Sequence, residues 1–110
     1  MPVALEIFFR DMPPSSALEA EIRKRAKQLE RVAERMTSCR VSVLTDGRHR
    51  RSGTRFEVHV DIAIPGGELA LGRDHSFEDP YVAVREAFDA ARRGLQDQLA
   101  RRREPKGTAN

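Results

Sequence analysis

Residues 55–64, RFEVHVDIAI, followed by PGG at 65–67 and ELAL at 68–71, decide the fold of this chain. From Phe56 to Ile64 every second residue is apolar, and most of the residues between them are polar or charged. This period of two is typical of a strand with one buried face. The glycines after the proline allow a tight reversal, so the sequence predicts a hairpin of one long and one short strand.

Two more strands are predicted upstream of this hairpin, at residues 3–9 and 39–44, where apolar residues again alternate with others. Met12-Pro13-Pro14 ends the first of them, and Asp46-Gly47 ends the second. A helical pattern separates these two strands. We therefore expect them to be parallel neighbours, and we expect the later strands to run antiparallel.

Two amphipathic helices complete the pattern. The first opens with a capping box of Ser16 and Glu19, and its apolar stripe continues to about Met36. The second begins at Asp79-Pro80, an N-cap acceptor before a residue that suits the first helical turn. Its apolar stripe ends at Leu99, beyond which we expect the helix to fray.

The order β-α-β-β-β-α predicts an α+β fold, a two-layer sandwich of a four-stranded mixed sheet with both helices on one face. Each predicted strand has a single apolar face, which is why both helices should cover the same side. A chain of 110 residues is long enough for one core. We expect a single domain at residues 1–103 and a flexible tail at residues 104–110.

Few residues point to chemistry. Cys39 is the only cysteine, and it opens an apolar alternation, so we expect a buried thiol and no disulfide. His49, His59 and His75 lack the spacing of metal ligands, and no phosphate-binding glycine loop or activated nucleophile is found. The sequence predicts no catalytic residue, metal, cofactor or small-molecule substrate. No signal or membrane-spanning stretch follows Met1, which indicates a cytoplasmic protein without a membrane partner.

The net charge of the chain does not by itself indicate a polyanionic partner, but the placement of the basic residues does. Twenty Lys and Arg against seventeen Asp and Glu give a net charge of +3, which an ordinary mixed surface explains equally well. On helical wheels, however, basic residues gather opposite the first apolar stripe and along one edge of the second, and a polar loop adds more. The candidate RNA contacts from this pattern are Lys24, Lys27, Arg31, Arg48, Arg50, Arg51, Arg85, Arg92 and Arg93.

These residues suit phosphate contacts rather than base recognition, because Arg donors match phosphate oxygens. Phe8 and His59 are the only rings expected on the open sheet face, which is a weak platform for single strands. Two alternatives stay open. One is a protein-interaction module that uses exposed Phe8, Leu44 and the strand edges, with the charges only solubilising; the other, an enzyme, is disfavoured because no catalytic constellation emerges.

Four segments together resemble one known family: FRDM at 9–12, IPGGEL at 64–69, EDPYVAVREAFD at 78–89 and RRGL at 92–95. They are similar to the ribosome hibernation promoting factor and ribosome-associated inhibitor family in its short form. The resemblance implies a fold like that of double-stranded-RNA-binding domains. It also implies a partner, the small ribosomal subunit and its rRNA, where a member blocks messenger and transfer RNA in the decoding region under stress.

The resemblance also assigns residues. Arg10, Arg25, Arg85 and Arg93 match family positions that are often basic, which adds Arg10 and Arg25 to the candidate RNA contacts. Tyr81 matches a recurrent aromatic, which we expect in the core. The family further implies that the domain binds the ribosome as a monomer.

Three features depart from the family pattern. Ala90 stands where a Lys is common on the second helix, and Arg92 is placed to compensate. The loop at residues 48–53 and the connector through His75 are longer than in the shortest members. The chain ends where long members continue into a dimerising domain, so we expect it not to pair ribosomes by that route.

Overall fold

A computed structural model of the chain describes residues 3–33, 35–46, 53–73 and 75–103. The elements follow the predicted order, and the α+β fold class is confirmed. They are β1 (Ala4–Arg10), α1 (Ser16–Val32), β2 (Ser38–Asp46), β3 (Arg55–Ile64), β4 (Gly67–Leu71) and α2 (Pro80–Arg103). The predicted tail at 104–110 and the basic residues of the 48–51 segment lie outside the described residues.

The four strands form one mixed sheet in the order β1-β2-β3-β4. Strand β1 pairs with β2 in parallel, with Leu5 opposite Cys39, because α1 carries the chain back to the starting end of β1 before β2 begins. The β2–β3 and β3–β4 pairs are antiparallel, with Val41 opposite Val60 and Ile62 opposite Leu69. The predicted topology is therefore confirmed.

Both helices pack on one face of this sheet and share one hydrophobic core with it. Cys39 is 1% exposed and faces that core, as predicted. The other side chains with the least exposure come from α1, α2 and the two central strands; they are Ile22, Val41, Val43, Val58, Val60, Ile62 and Val84. No residue of β1 reaches the same depth, since its inward side chains are only partly buried.

The limits of α1 differ from the prediction. The N-cap is Ser15, not Ser16, and its Oγ accepts a hydrogen bond of 3.2 Å from the Leu18 N–H. The helix ends at Val32, because Ala33 leaves helical geometry with φ −127° and ψ 70°. Met36 is buried although it lies outside the helix. The helical spacing of apolar residues therefore continues beyond the helix, which is why the prediction placed the end of α1 too late.

Helix α2 begins as predicted, with the Asp79 carboxylate accepting a hydrogen bond of 2.8 Å from the Tyr81 N–H. Two other predictions about this helix are wrong. The helix does not fray after Leu99 but continues to Arg103, since Ala and Arg are strong helix formers and Arg suits a helix C-terminus. Tyr81 is 44% exposed rather than in the core, because its position falls at the margin of the buried stripe.

The connector between β4 and α2 sets where α2 starts. Gly72 has φ +86°, and a Cβ there would lie 2.1 Å from the Val58 carbonyl oxygen, so only glycine lets the chain approach β3 this closely. Further on, Phe56 and Phe77 exchange backbone hydrogen bonds of 2.7 and 2.9 Å. The connector thus leads the chain to the start of β3, and both helices begin at the same end of the sheet and run in the same direction.

Candidate nucleic-acid interface

The positive charge of the chain is concentrated in the helical layer. Helix α1 has five Lys and Arg against three Glu, and α2 has six Arg against three carboxylates. The remainder of the chain has nine basic and eleven acidic residues. The modest net charge therefore combines a basic helical layer with a slightly acidic remainder.

A basic ridge of Lys24, Lys27 and Arg31 runs along the solvent side of α1. All three side chains are exposed, opposite the buried stripe that includes Ile22. Within the described part of the chain, none of the three forms an ion pair or a hydrogen bond, whereas Arg23 and Arg25 of the same helix do. The helical wheel predicted these residues opposite the apolar stripe, and the structure places them there; their lack of partners among the described residues is a further finding.

The two flanks of α1 differ from this ridge because their charges are paired. On one flank the Glu30 carboxylate accepts a hydrogen bond of 3.1 Å from the Val3 N–H, which turns this side towards β1, and Arg23 pairs with Glu19 at 2.9 Å. The opposite flank faces α2. There Arg25 Nε lies 2.9 Å from Glu21 Oε2, and both side chains are about three-quarters buried.

Helix α2 presents basic residues on two sides. One side lines a groove with the connector and includes Ala90 and Arg93. Because that side faces β4, the opposite edge with Arg85 and Arg92 faces α1. The ion pairs at this edge are long, 3.5 Å from Arg85 to Glu86 and 3.9 Å from Arg92 to Asp89, and both arginines are half exposed. Such pairs contribute little stability, so these arginines remain available to a stronger anionic partner.

The structure brings together only part of the candidate set. Arg25 lies on the flank of α1 that faces α2, and Arg85 and Arg92 lie on the edge of α2 that faces α1, so these three line the cleft where the helices meet. Lys24, Lys27 and Arg31 form the ridge on the solvent side of α1. Arg93 lies on the far side of α2. Arg10 is exposed at the end of β1, on the sheet face away from the helices, and forms no ion pair with any described residue.

The open sheet face carries arginines too, but its strand register pairs them. Glu6, Arg40 and Asp61 stand side by side on β1, β2 and β3. Arg40 contacts Glu6 at 3.2 Å, and Arg73 contacts Asp61 at 2.7 Å. The hydrogen bond from Arg73 to Asp61 raises the pKa of Arg73 above its usual value. Apart from Arg10 at the end of β1, this face therefore presents paired rather than unpaired arginines among the described residues.

Aromatic side chains on the open sheet face follow the prediction in part. Phe8 is 39% exposed there, and the Arg40 guanidinium lies 5.8 Å from its ring centroid. His59 is on the same face, where its Nε2 lies 2.8 Å from Glu57. Leu44 is half-buried rather than exposed, which weakens the alternative of an apolar interaction surface.

Two basic residues escaped the sequence-based prediction. Arg73 and His75 lie with Arg93 on the rim of the groove between the connector and α2, whose floor includes Leu71 and Ala87. No periodicity relates residues 73 and 93. Their proximity depends on the path of the connector, which the sequence did not reveal.

The described residues show little that would support chemistry. Burial, and to a lesser extent the charge of Asp61, raises the pKa of the Cys39 thiol to about 11, so it is neutral at physiological pH. Within those residues, no group of three His, Cys, Asp or Glu side chains is arranged to hold a metal ion. No helix in the described ranges has the length and apolar character needed to cross a bilayer.

Comparison with known proteins gives consistent results at the level of family and fold. The family model described as Sigma 54 modulation protein / S30EA ribosomal protein matches residues 5–103. A ribosomal subunit interface protein from Coxiella burnetii superposes with a TM-score of 0.73 at 14% identity, over 89% of this chain and 99% of that one. The N-terminal domain of Thermus thermophilus Protein Y superposes with a TM-score of 0.68 at 16% identity, over 88% of this chain and 98% of that one. No curated protein matches the sequence significantly.

Proposed function

The chain belongs to the Sigma 54 modulation protein / S30EA ribosomal protein family, and from that premise we propose that it binds the small ribosomal subunit and silences translation by occupying the decoding region. The solved relatives are described as a ribosomal subunit interface protein and as Protein Y, which supports a ribosomal partner. Binding requires no cofactor, and the domain acts as a monomer whose bulk excludes messenger and transfer RNA.

One observation carries this proposal: a row of three exposed cations on α1 has no partner among the described residues. The ridge of Lys24, Lys27 and Arg31 projects into solvent without carboxylate partners among the described residues. Exposed, unpaired ammonium and guanidinium groups lose little by moving onto phosphates, and they release the counterions condensed on the RNA. A cation already held by a carboxylate gains less, because the existing pair must first be broken.

The edge of α2 extends this surface across the cleft. Arg85 and Arg92 are half exposed and are held only by long contacts to neighbours on the same helix. A guanidinium exchanges such a contact for a bidentate bond to a phosphate at low cost. Cations on two helices, separated by a cleft, recognise the spacing of phosphates on a folded RNA and therefore its shape rather than its sequence.

The other candidate residues have graded roles in the proposal. Arg25 is three-quarters buried beside Glu21, so it contributes to the positive electrostatic potential of the cleft more than to direct contacts with phosphate. Arg93 and Arg10 extend the contact area beyond the cleft, on the far side of α2 and at the end of β1. The loop residues Arg48, Arg50 and Arg51 remain proposed contacts, placed outside the described residues.

Co-sedimentation with purified ribosomal subunits in sucrose gradients tests the proposal. We expect the chain to travel with the small subunit at low salt and to leave it as salt is raised, because phosphate contacts dominate. Chemical probing of the rRNA should show protection in the decoding region, and small subunits preloaded with messenger and transfer RNA should bind less. Exclusive binding to the large subunit, or binding unaffected by salt, would contradict the proposal.

A further inference from the structure

The outer edge of β1 is an open strand edge. In the sheet order β1-β2-β3-β4, β2 is the one strand among the described residues that pairs with β1, and β1 spans seven residues without a proline. Its inward side chains, including Leu5, Ile7 and Phe9, are only partly buried, in contrast to the fully buried Val41 and Val43 on β2. Edges of this length and apolar character usually have a charge, a proline, a bulge or a covering segment that prevents another strand from pairing with them.

Hydrogen bonding shows which backbone groups point outward from this edge. The Ala4 N–H bonds to the Thr37 carbonyl at 3.3 Å, so Ala4 and every second residue after it face β2. Leu5, Ile7 and Phe9 therefore direct their N–H and C=O groups away from the sheet. Val3 has the same orientation, and its N–H is already bonded to Glu30.

We propose that β1 pairs antiparallel with β1 of a second copy across a two-fold axis, with Ile7 of each copy opposite Phe9 of the other. This register joins outward-facing residues and forms two residue pairs, each exchanging two backbone hydrogen bonds. On the open face it sets Phe8 opposite Phe8 and Glu6 opposite Arg10 of the second copy. Symmetry repeats the Glu6–Arg10 contact, so the charge pattern of the strand is complementary to itself.

Neighbouring registers lack this complementarity. With Ile7 opposite Ile7, Glu6 meets Phe8 and Arg10 meets Ala4, so neither charge has an opposite partner. With Leu5 opposite Ile7, Glu6 meets Glu6, which is repulsive. In the proposed register the pairing also ends where it should, because Val3 would face Pro13, which has no N–H, and the Val3 N–H is already satisfied by Glu30.

The surrounding surface is compatible with this dimer. A continuous sheet across the two-fold axis puts both helical layers on the same side, and the α1 flank that faces the second copy is the one with Glu19, Arg23 and Glu30, where charges are paired. Lys24 and Lys27, which have no described partner, lie on the solvent side of α1 rather than on this flank. The interface is short, so we expect a weak dimer. The inference does not depend on RNA binding and concerns the free protein.

A charge-swap cycle on the full chain, followed by sedimentation equilibrium without RNA at concentrations up to about 1 mM, tests the proposal. Glu6→Arg sets Arg opposite Arg10 at two symmetric places, and Arg10→Glu sets Glu opposite Glu6. Each should weaken association about tenfold, and the double variant should restore it by exchanging the two charges. Circular dichroism melting establishes that each variant is folded.

Restored association in the double variant supports the proposal, because a contact elsewhere on the molecule has no reason to recover. A wild-type chain that stays monomeric at the highest concentration overturns it. Association that is equally strong in both single variants also overturns it, since the contact then lies away from β1. Small-subunit binding is measured separately, so failure of the dimer leaves the proposed ribosome binding standing, and the reverse also holds.

Discussion

The helical layer and the open sheet face both carry arginines, but the two surfaces differ in pairing: on the sheet face Arg10 is the exception without a described partner, whereas α1 carries a row of such cations. On the sheet, Arg40 and Arg73 contact Glu6 and Asp61 across neighbouring strands or from the connector. On α1, Lys24, Lys27 and Arg31 have no such contact with any described residue. From this comparison we expect pairing, rather than the number of basic residues, to distinguish a binding surface from a solubilising one. Three predictions test this distinction through RNA binding, and a fourth tests the burial of the sheet layer beneath it.

Reversing the ridge charges should have the largest effect. The variant Lys24→Glu, Lys27→Glu, Arg31→Glu removes three phosphate contacts and introduces repulsion, so we expect small-subunit affinity to fall roughly a thousandfold. All three side chains are exposed, so the melting temperature should change little. Gradient sedimentation measures binding and circular dichroism measures stability. A folded variant that still binds with wild-type affinity would remove the ridge from the site.

Alkaline pH should destabilise the fold through the buried Cys39 of the sheet layer. Cys39 ionises near 9.0 when unfolded but near 11 when folded, so the folded state favours the neutral thiol. This stabilisation is complete below pH 9 and is lost as pH rises through about 11, which lowers the free energy of unfolding by up to about 3 kcal/mol. Urea unfolding at a series of pH values should show this loss, and Cys39→Ala should reduce it. An identical pH dependence in both proteins would contradict the assignment.

Releasing a paired cation in the cleft should strengthen RNA binding. Glu21→Gln frees Arg25 and adds one positive charge to the cleft, so we expect affinity to rise about threefold to tenfold. Glu6→Gln is the matched control, because it frees Arg40 on the open sheet face with the same change of net charge. Titration at low protein concentration should show a gain for the first variant only. Equal gains would mean that net charge alone determines binding.

Breaking a pair on the sheet should have the smallest effect. Arg40→Gln removes an exposed ion pair with Glu6 and the guanidinium over Phe8, which together stabilise the fold by about 1 kcal/mol or less. Small-subunit binding should stay unchanged. Thermal melting and gradient sedimentation of the same sample check both statements, and a marked loss of binding would extend the RNA surface to the sheet.

The sequence predicted the fold well because the alternation on the strands and the stripes on the helices report burial directly. The prediction was wrong where a residue is buried without being helical, or is helical without being buried. Ala33 and Met36 are buried outside α1, and Tyr81 lies within α2 but is exposed. The periodic spacing of Ala33 and Met36 did not make their backbone helical, and the periodic position of Tyr81 did not place its side chain in the core.

The candidate site was predictable in part for a similar reason. The ridge on α1 follows from helical spacing alone, and so does the i,i+4 contact of Glu21 with Arg25. The pairing of Arg40 with Glu6 depends on strand register between residues 34 apart in the chain, and the approach of Arg73 to Arg93 depends on the connector. Sequence patterns located the cations, but tertiary structure determined which of them are free.

The salt dependence of small-subunit binding tests the central claim most directly, with two triple variants that lose the same charge. One is Lys24→Gln, Lys27→Gln, Arg31→Gln, which removes unpaired cations; the other is Arg23→Gln, Arg40→Gln, Arg73→Gln, which removes paired ones. Affinity falls as salt rises, and we predict that the variant without the unpaired cations shows a shallower fall: the magnitude of the slope of log affinity against log salt decreases by about 2 to 3. The variant without the paired cations should keep a slope near the wild-type value. Equal slopes in the two variants would contradict the account.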